Sequence, residues 1–314
     1  MTMPAALTPA LSRERERGQD APSNAPLCQA PDPVLRKPRI TMPAGATDCH
    51  AHICGPAHLY PYAAQRIYTP PDALLPGYRA LLSTLGVQRA VLVQPSVYAN
   101  DNRALVAALA TDPQHLRGVA VVNPGISDDE LQALHSAGVR GLRCNIVGLA
   151  SAKGALPIDE LHQLAQRIAP LKWHLELLMH VNEFPNLASD LGDLPVDLVL
   201  GHLGYVPTRH STQDPGFQNL LSLVREGKAW VKLTGPYRIS QHSSPPYADV
   251  QPFAEALLRA NPARLLWGSD WPHVMVKGPM PNDADLCNLL GDWVSDAQLR
   301  KNIFVENPAK LYEF

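Results

Sequence analysis

No apolar run in the 314 residues approaches the ~18 needed to span a bilayer, so no membrane partner is expected. The opening MTMPAALTPALSRERERG lacks a long apolar segment ending in a cleavage site, which points to a cytoplasmic chain. Excess positive charge is also missing. With 27 basic and 29 acidic residues and a net charge of −2, a nucleic-acid partner is not expected. Five cysteines, Cys28, Cys49, Cys54, Cys144 and Cys287, are odd in number and scattered. They read as reduced thiols rather than a disulfide framework. No glycine-rich phosphate turn follows the first strand pattern, which counts against an open nucleotide-binding sheet.

Proline, by contrast, is plentiful near the start. Pro4, Pro9, Pro22, Pro26, Pro31, Pro33, Pro38 and Pro43 interrupt every helical or strand pattern there. Such a stretch buries too little apolar surface to offset the entropy of ordering it. Residues 1–44 are therefore expected to form a flexible arm and residues 45–314 a single domain.

Within that domain short apolar runs alternate with helical stretches. TDCHAHI, RAVLVQ, LRGVAVV, VRGLRCN, WHLELLM, DLVLGHLG, WVKLTG and RLLWGSD read as strands, most of them apolar on both faces as buried parallel strands are. Between them DNRALVAALAT, DDELQALHSAG, IDELHQLAQRIA, PGFQNLLSLVREG and DVQPFAEALLRA carry apolar residues at helical spacing. Eight such repeats predict an α/β fold, a distorted (β/α)8 TIM barrel. The Tyr- and Pro-rich loop from Pro56 to Pro76 would then lie over the catalytic face.

The polar residues fall where strands end. His50 and His52 are two apart, so on a strand both imidazoles face one way. By the same alternation Cys49 is expected to point towards the helices. His202 follows DLVL and Asp270 follows RLLWGS, and in a barrel these ends converge. A carboxylate there can take a proton from water, while imidazoles polarise a carbonyl directly or through a metal. Glu176 and His180 share parity on the fifth strand, and His180 is a weaker candidate ligand. Strand four ends in LRCN, which offers no lysine or glutamate. One divalent ion, zinc or manganese, held by His50, His52, His202 and Asp270, or no metal at all, remains open. Arg143 and Arg238 stand at strand ends with forks suited to carboxylates, favouring a small anionic substrate.

DCHAHICGP, LVQPS followed by DN, GHLG, GSDWPH and NPAKLY resemble, in this order, the amidohydrolase superfamily, in the subgroup of 2-pyrone-4,6-dicarboxylate and related lactonases. The resemblance runs from about Gly45 to Phe314. It implies a hydrolase that opens a small carboxylated lactone, with Asp270 as general base and His50, His52 and His202 in the site. It further implies substrate contacts from Arg143, Arg238, Ser96 and Tyr68, with His273, Tyr62 and Tyr98 as neighbours. Departures occur at Ile146–Leu149, Tyr205 and Leu178, where that lactonase has basic residues or a tyrosine. They put the second carboxylate in doubt more than the reaction. A metal-dependent decarboxylase and a non-catalytic acid-binding barrel are the alternatives, and a homo-oligomer is possible.

Overall fold

The computed structural model describes residues 25–147 and 156–314. Eight strands form where the apolar runs stand: β1 (Thr47–Ala51), β2 (Arg89–Val93), β3 (Leu116–Ala120), β4 (Val139–Asn145), β5 (His174–Leu178), β6 (Leu198–Leu200), β7 (Ala229–Leu233) and β8 (Leu265–Trp267). They pair in parallel in sequence order, and the expected distorted (β/α)8 barrel is what the chain forms.

Ten α-helices accompany them among the described residues: α1 (Leu75–Leu85), α2 (Arg103–Leu109), α3 (Asp128–Ser136), α4 (Ile158–Ile168), α5 (Leu187–Leu191), α6 (Pro215–Arg225), α7 (Gln251–Ala260), α8 (Asp283–Trp293), α9 (Ala297–Lys301) and α10 (Asn307–Tyr312). Their boundaries follow local chemistry. Ser127 caps α3 by accepting from the Glu130 amide, while Glu130 reaches back to the Ser127 amide. Such a box is worth about 1 kcal/mol. Helix α4 buries Leu161, Ala165 and Ile168, one stripe at helical spacing, and leaves its acidic first turn to solvent. No helix of the described residues is long and apolar enough to cross a membrane.

Two apolar layers hold the barrel. Outward residues such as Leu92, Leu142, Leu177 and Val231 pack against the helices, whereas Val91, Val93, Val119, Val199, Trp230 and Leu266 fill the interior with Tyr312. The ladder runs from β1 to β8, and closure between those two comes just beyond β8. There Asp270 N–H donates to the His50 carbonyl and His52 N–H to the Trp271 carbonyl, each at 2.8 Å.

Residues 25–44, expected as part of the arm, run along the barrel. Arg36 pairs with Asp285 at 2.5 Å, and the Arg39 amide donates to Asn288 at 2.6 Å, both on α8. Residues 1–24 of the expected arm lie outside the described residues. The tyrosine-rich loop packs Tyr62 and Tyr68 against Val97, Tyr98 and Val274, at the carboxyl ends of β2 and β8, as expected of a loop over that face.

Candidate active site

The first strand departs from simple alternation. Thr47 and Asp48 pair with Arg89 and Ala90, but Ala51 pairs with Leu92, so an extra residue bulges between Asp48 and Ala51. Asp48 points outwards to the Tyr78 hydroxyl of α1 at 2.8 Å. Cys49 and His50 then both turn inwards, and Cys49 packs with Val91, Trp230 and Leu266 in the interior. The expectation that Cys49 faces the helices is thus corrected by the bulge. Burial pushes its thiol well up, leaving it no nucleophile. Asp48 pins the bulge to the far side of the seam by accepting from the His50 amide and from both the amide and hydroxyl of Ser269. Burial raises its carboxyl to about 6 against those hydrogen bonds.

His50 and His52 meet edge to face, with ring centroids 5.0 Å apart, and His50 meets His202 likewise at 5.1 Å. His52 Nδ1 donates to the Val93 carbonyl at 2.7 Å, which leaves Nε2 as an acceptor. His202 stands on a tight turn just after β6, with Nδ1 4.0 Å from Asp270 Oδ2 and no hydrogen-bond partner. Burial holds His52 and His202 well below the usual imidazole range, aided for His52 by its histidine neighbour. They are neutral at neutral pH.

Asp270 is fully buried, at a φ of 68°, and its two oxygens differ. Oδ2 accepts from Arg238 Nε at 2.6 Å and from the Tyr237 hydroxyl at 2.5 Å. Oδ1 has no partner and lies 3.7 Å from His50 Nε2, which is also unpartnered. Burial alone would raise this carboxyl, yet Arg238, with His202 and His50, holds it well below its ordinary range. The site therefore presents an ionised carboxylate with one oxygen free. Room for it depends on Gly235, where a Cβ would stand 2.8 Å from His202 Nδ1 and 2.9 Å from Asp270 Oδ2, at a φ of +57°.

A metal has a place here. Ligand atoms of His50, His52 and Asp270 lie within 4.8 Å of one another, and the unpartnered Nε2 and Oδ1 are donors of the type zinc or manganese accepts. Together they suit one divalent ion when His50 Nε2 is unprotonated. His180 is not in this group, since its Nδ1 donates to the Tyr205 carbonyl at 2.7 Å and its ring stacks on Tyr205 at 4.4 Å.

Arg143 is buried, with Nη1 on the Gln94 carbonyl at 3.1 Å and Nε without a partner. No carboxylate among the described residues forms an ion pair with it. Arg238 spends Nε on Asp270 and Nη2 on the Val274 carbonyl. Ser96 Oγ donates to the Tyr68 hydroxyl at 3.4 Å, beneath the tyrosine-rich loop. His273 is set behind the site, fully buried, with Nδ1 on Tyr237 and Nε2 on Asp283 at 3.0 Å each. No ring nitrogen of His273 remains for a substrate. Of the departures, Ile146 is buried, Val147 is exposed, and residues 148 and 149 lie outside the described residues.

Two residues at the centre, Tyr237 and Lys232, escaped the sequence reading. Tyr237, next to Arg238, supplies a hydrogen bond to Asp270. Beneath His50, Lys232 of β7 and Glu176 of β5 form a buried ion pair at 2.5 Å, and Glu176 had been noted only for its parity. A lysine inside the apolar run WVKL was the available signal.

Comparison with known proteins gives this arrangement a family context. Residues 47–314 match the family model described as amidohydrolase. The chain is 38% identical to the 2-pyrone-4,6-dicarboxylate hydrolase of Comamonas testosteroni over 88% of its own length and 92% of that protein's. It is 36% identical to the 4-sulfomuconolactone hydrolase of Rhizobium radiobacter over 91% and 96%. Among solved structures, one from Agrobacterium tumefaciens superposes with a TM-score of 0.79 at 28% identity, covering 88% of this chain and 98% of that one.

Proposed function

Because the chain belongs to the amidohydrolase family, with hydrolases 36–38% identical across nearly its whole length, we propose that it opens a small anionic lactone by adding water to the ring carbonyl. The observation that carries this reading is the pairing of a buried cation without an ion-pair partner among the described residues, Arg143, with a buried carboxylate set among three histidines, its one free oxygen 3.7 Å from His50 Nε2. An unpaired buried charge is costly, and a carboxylate or sulfonate on the substrate supplies what Arg143 lacks.

The steps follow from the donors. Asp270 Oδ1 takes a proton from water as the water oxygen attacks the carbonyl carbon. His50 and His202 stabilise the charge gathering on the carbonyl oxygen, while His52, its Nε2 an acceptor, helps to hold the water. The bond from the carbonyl carbon to the ring oxygen then breaks, and Asp270 returns the proton to that oxygen, leaving a hydroxyl and a carboxylic acid that gives up its proton to solvent on release. A carboxyl held well below its ordinary range is a weak base. A substrate anion that shares Arg238 loosens its hold on Oδ2 and restores basicity when substrate is bound. With His50 Nε2 free of its proton, a zinc or manganese ion held by His50, His52 and Asp270 would polarise the same carbonyl.

The decarboxylase alternative is not favoured, since two relatives similar across nearly the whole chain are named as hydrolases of lactones. Chelator-treated protein incubated with 2-pyrone-4,6-dicarboxylate or 4-sulfomuconolactone, followed by ultraviolet absorbance, tests the proposal. Ring absorbance is expected to decay with at least one of them. Stable absorbance with both, before and after added zinc or manganese, would refute this substrate class.

A further inference from the structure

The ion pair beneath His50 is an expensive feature for a barrel interior. Lys232 is wholly buried and Glu176 almost so, and taking both charges out of water costs several kcal/mol per ion before their attraction is counted. The proposed hydrolysis gives neither residue a direct part. What they do touch is His50. Lys232 Nζ lies 3.2 Å from His50 Nδ1 in hydrogen-bond geometry, while Glu176 Oε1 approaches the same nitrogen at 3.4 Å.

Two opposite groups thus compete for one ring nitrogen. An ammonium has only hydrogens to offer, so a bond from Lys232 requires the lone pair of the imidazole on Nδ1. The ring proton then sits on Nε2, facing the site. A carboxylate can only accept, so a bond to Glu176 requires the proton on Nδ1 and bares a lone pair on Nε2. The first arrangement makes His50 a hydrogen-bond donor, the second a metal ligand. Glu176 Oε2 is itself held by Lys232 at 2.5 Å, and the aligned contact to His50 is the one from lysine.

We propose that Lys232, anchored by Glu176, is a positioning residue that fixes the proton of His50 on Nε2 and so makes His50 a donor to the substrate carbonyl rather than a metal ligand. His52 carries the opposite tautomer, because its Nδ1 is spent on Val93. The two imidazoles then present unlike faces to the site. His52 Nε2 and Asp270 Oδ1 receive hydrogens from water, while His50 Nε2 gives one to the carbonyl oxygen. A metal would find two of its three ligands ready and the third blocked by a proton.

The test reads the tautomer and the metal separately and needs no substrate, so it stands apart from the outcome of the lactone assay. Full-length protein labelled with 15N-histidine and freed of metal is examined by long-range 1H–15N NMR, with His50 assigned by its loss in His50→Gln. Nε2 is expected to carry the proton and Nδ1 to show the shift of an unprotonated, hydrogen-bonded nitrogen. A proton on Nδ1 overturns the proposal. Zinc titration by calorimetry is then compared between the native chain and Lys232→Met, in which Glu176 alone faces Nδ1. The variant is expected to bind zinc ~10- to 100-fold tighter, the usual weight of such a supporting contact. Equal or weaker binding by the variant overturns the proposal, and where Lys232→Met does not fold the NMR result decides alone.

Discussion

Arg238 Nε lies 2.6 Å from Asp270 Oδ2 and leaves Oδ1 as the only unengaged oxygen of that carboxylate. A pair formed this closely between a strand-seven turn and the end of strand eight both aims the carboxylate and lowers its basicity, and the first two predictions turn on that compromise.

Asp270→Asn keeps the shape of the group and removes its ability to take a proton. Turnover is expected to fall on the order of 10²- to 10⁴-fold, while equilibrium binding of the ring-opened product persists. Rates and calorimetry on the same preparation check this, and unchanged turnover would remove Asp270 from the chemistry.

Arg238→Gln removes the chief group that depresses the Asp270 carboxyl. The base must be ionised to act, so raising its pKa moves the acid limb of the kcat/KM profile to higher pH. KM for an anionic lactone rises as well. A pH profile of the variant with its acid limb unmoved would show that Arg238 does not set this ionisation.

Gly235→Ala places a methyl group against His202 Nδ1 and Asp270 Oδ2 in a backbone region that alanine avoids. A loss of about 1–3 kcal/mol in stability is expected, together with at least a tenfold fall in kcat from displacement of the two side chains. Chemical denaturation and initial rates measured together separate the two effects.

Stability in acid should depend on His174. Its ring fills the space over Gly141, and neither ring nitrogen has a hydrogen-bond partner. Burial lowers its pKa from 6.5 to about 4. The unfolded chain therefore binds a proton between those values that the folded chain refuses. Its contribution is complete above pH 6.5 and is lost as pH falls towards 4, at most about 3 kcal/mol. His174→Leu should flatten the stability curve in that window, as urea titrations at pH 4.5 and 7 will show.

Much of this molecule could be read before its structure. The eight apolar runs became the eight strands because residues buried on both faces leave a parallel sheet few alternatives, and His50 and His52 kept the common face that their spacing implied. Cys49 did not, since a bulge is a backbone event with no residue of its own to announce it. His273 stands three residues beyond Asp270, close enough to be placed at the mouth, yet the WPH turn carries it inwards to Asp283. Lys232 and Glu176 are 56 residues apart on strands separated by a third. Only curvature of the sheet brings them together under His50, and no local pattern encodes curvature.

The hydrogens that close the barrel belong to Asp270 and His52 themselves. Parting that seam would separate Asp270 from His50 and His52. Ageing of the enzyme by heat should accordingly begin at its centre of reactivity, and exchange of those two amides serves as a clock for its working life.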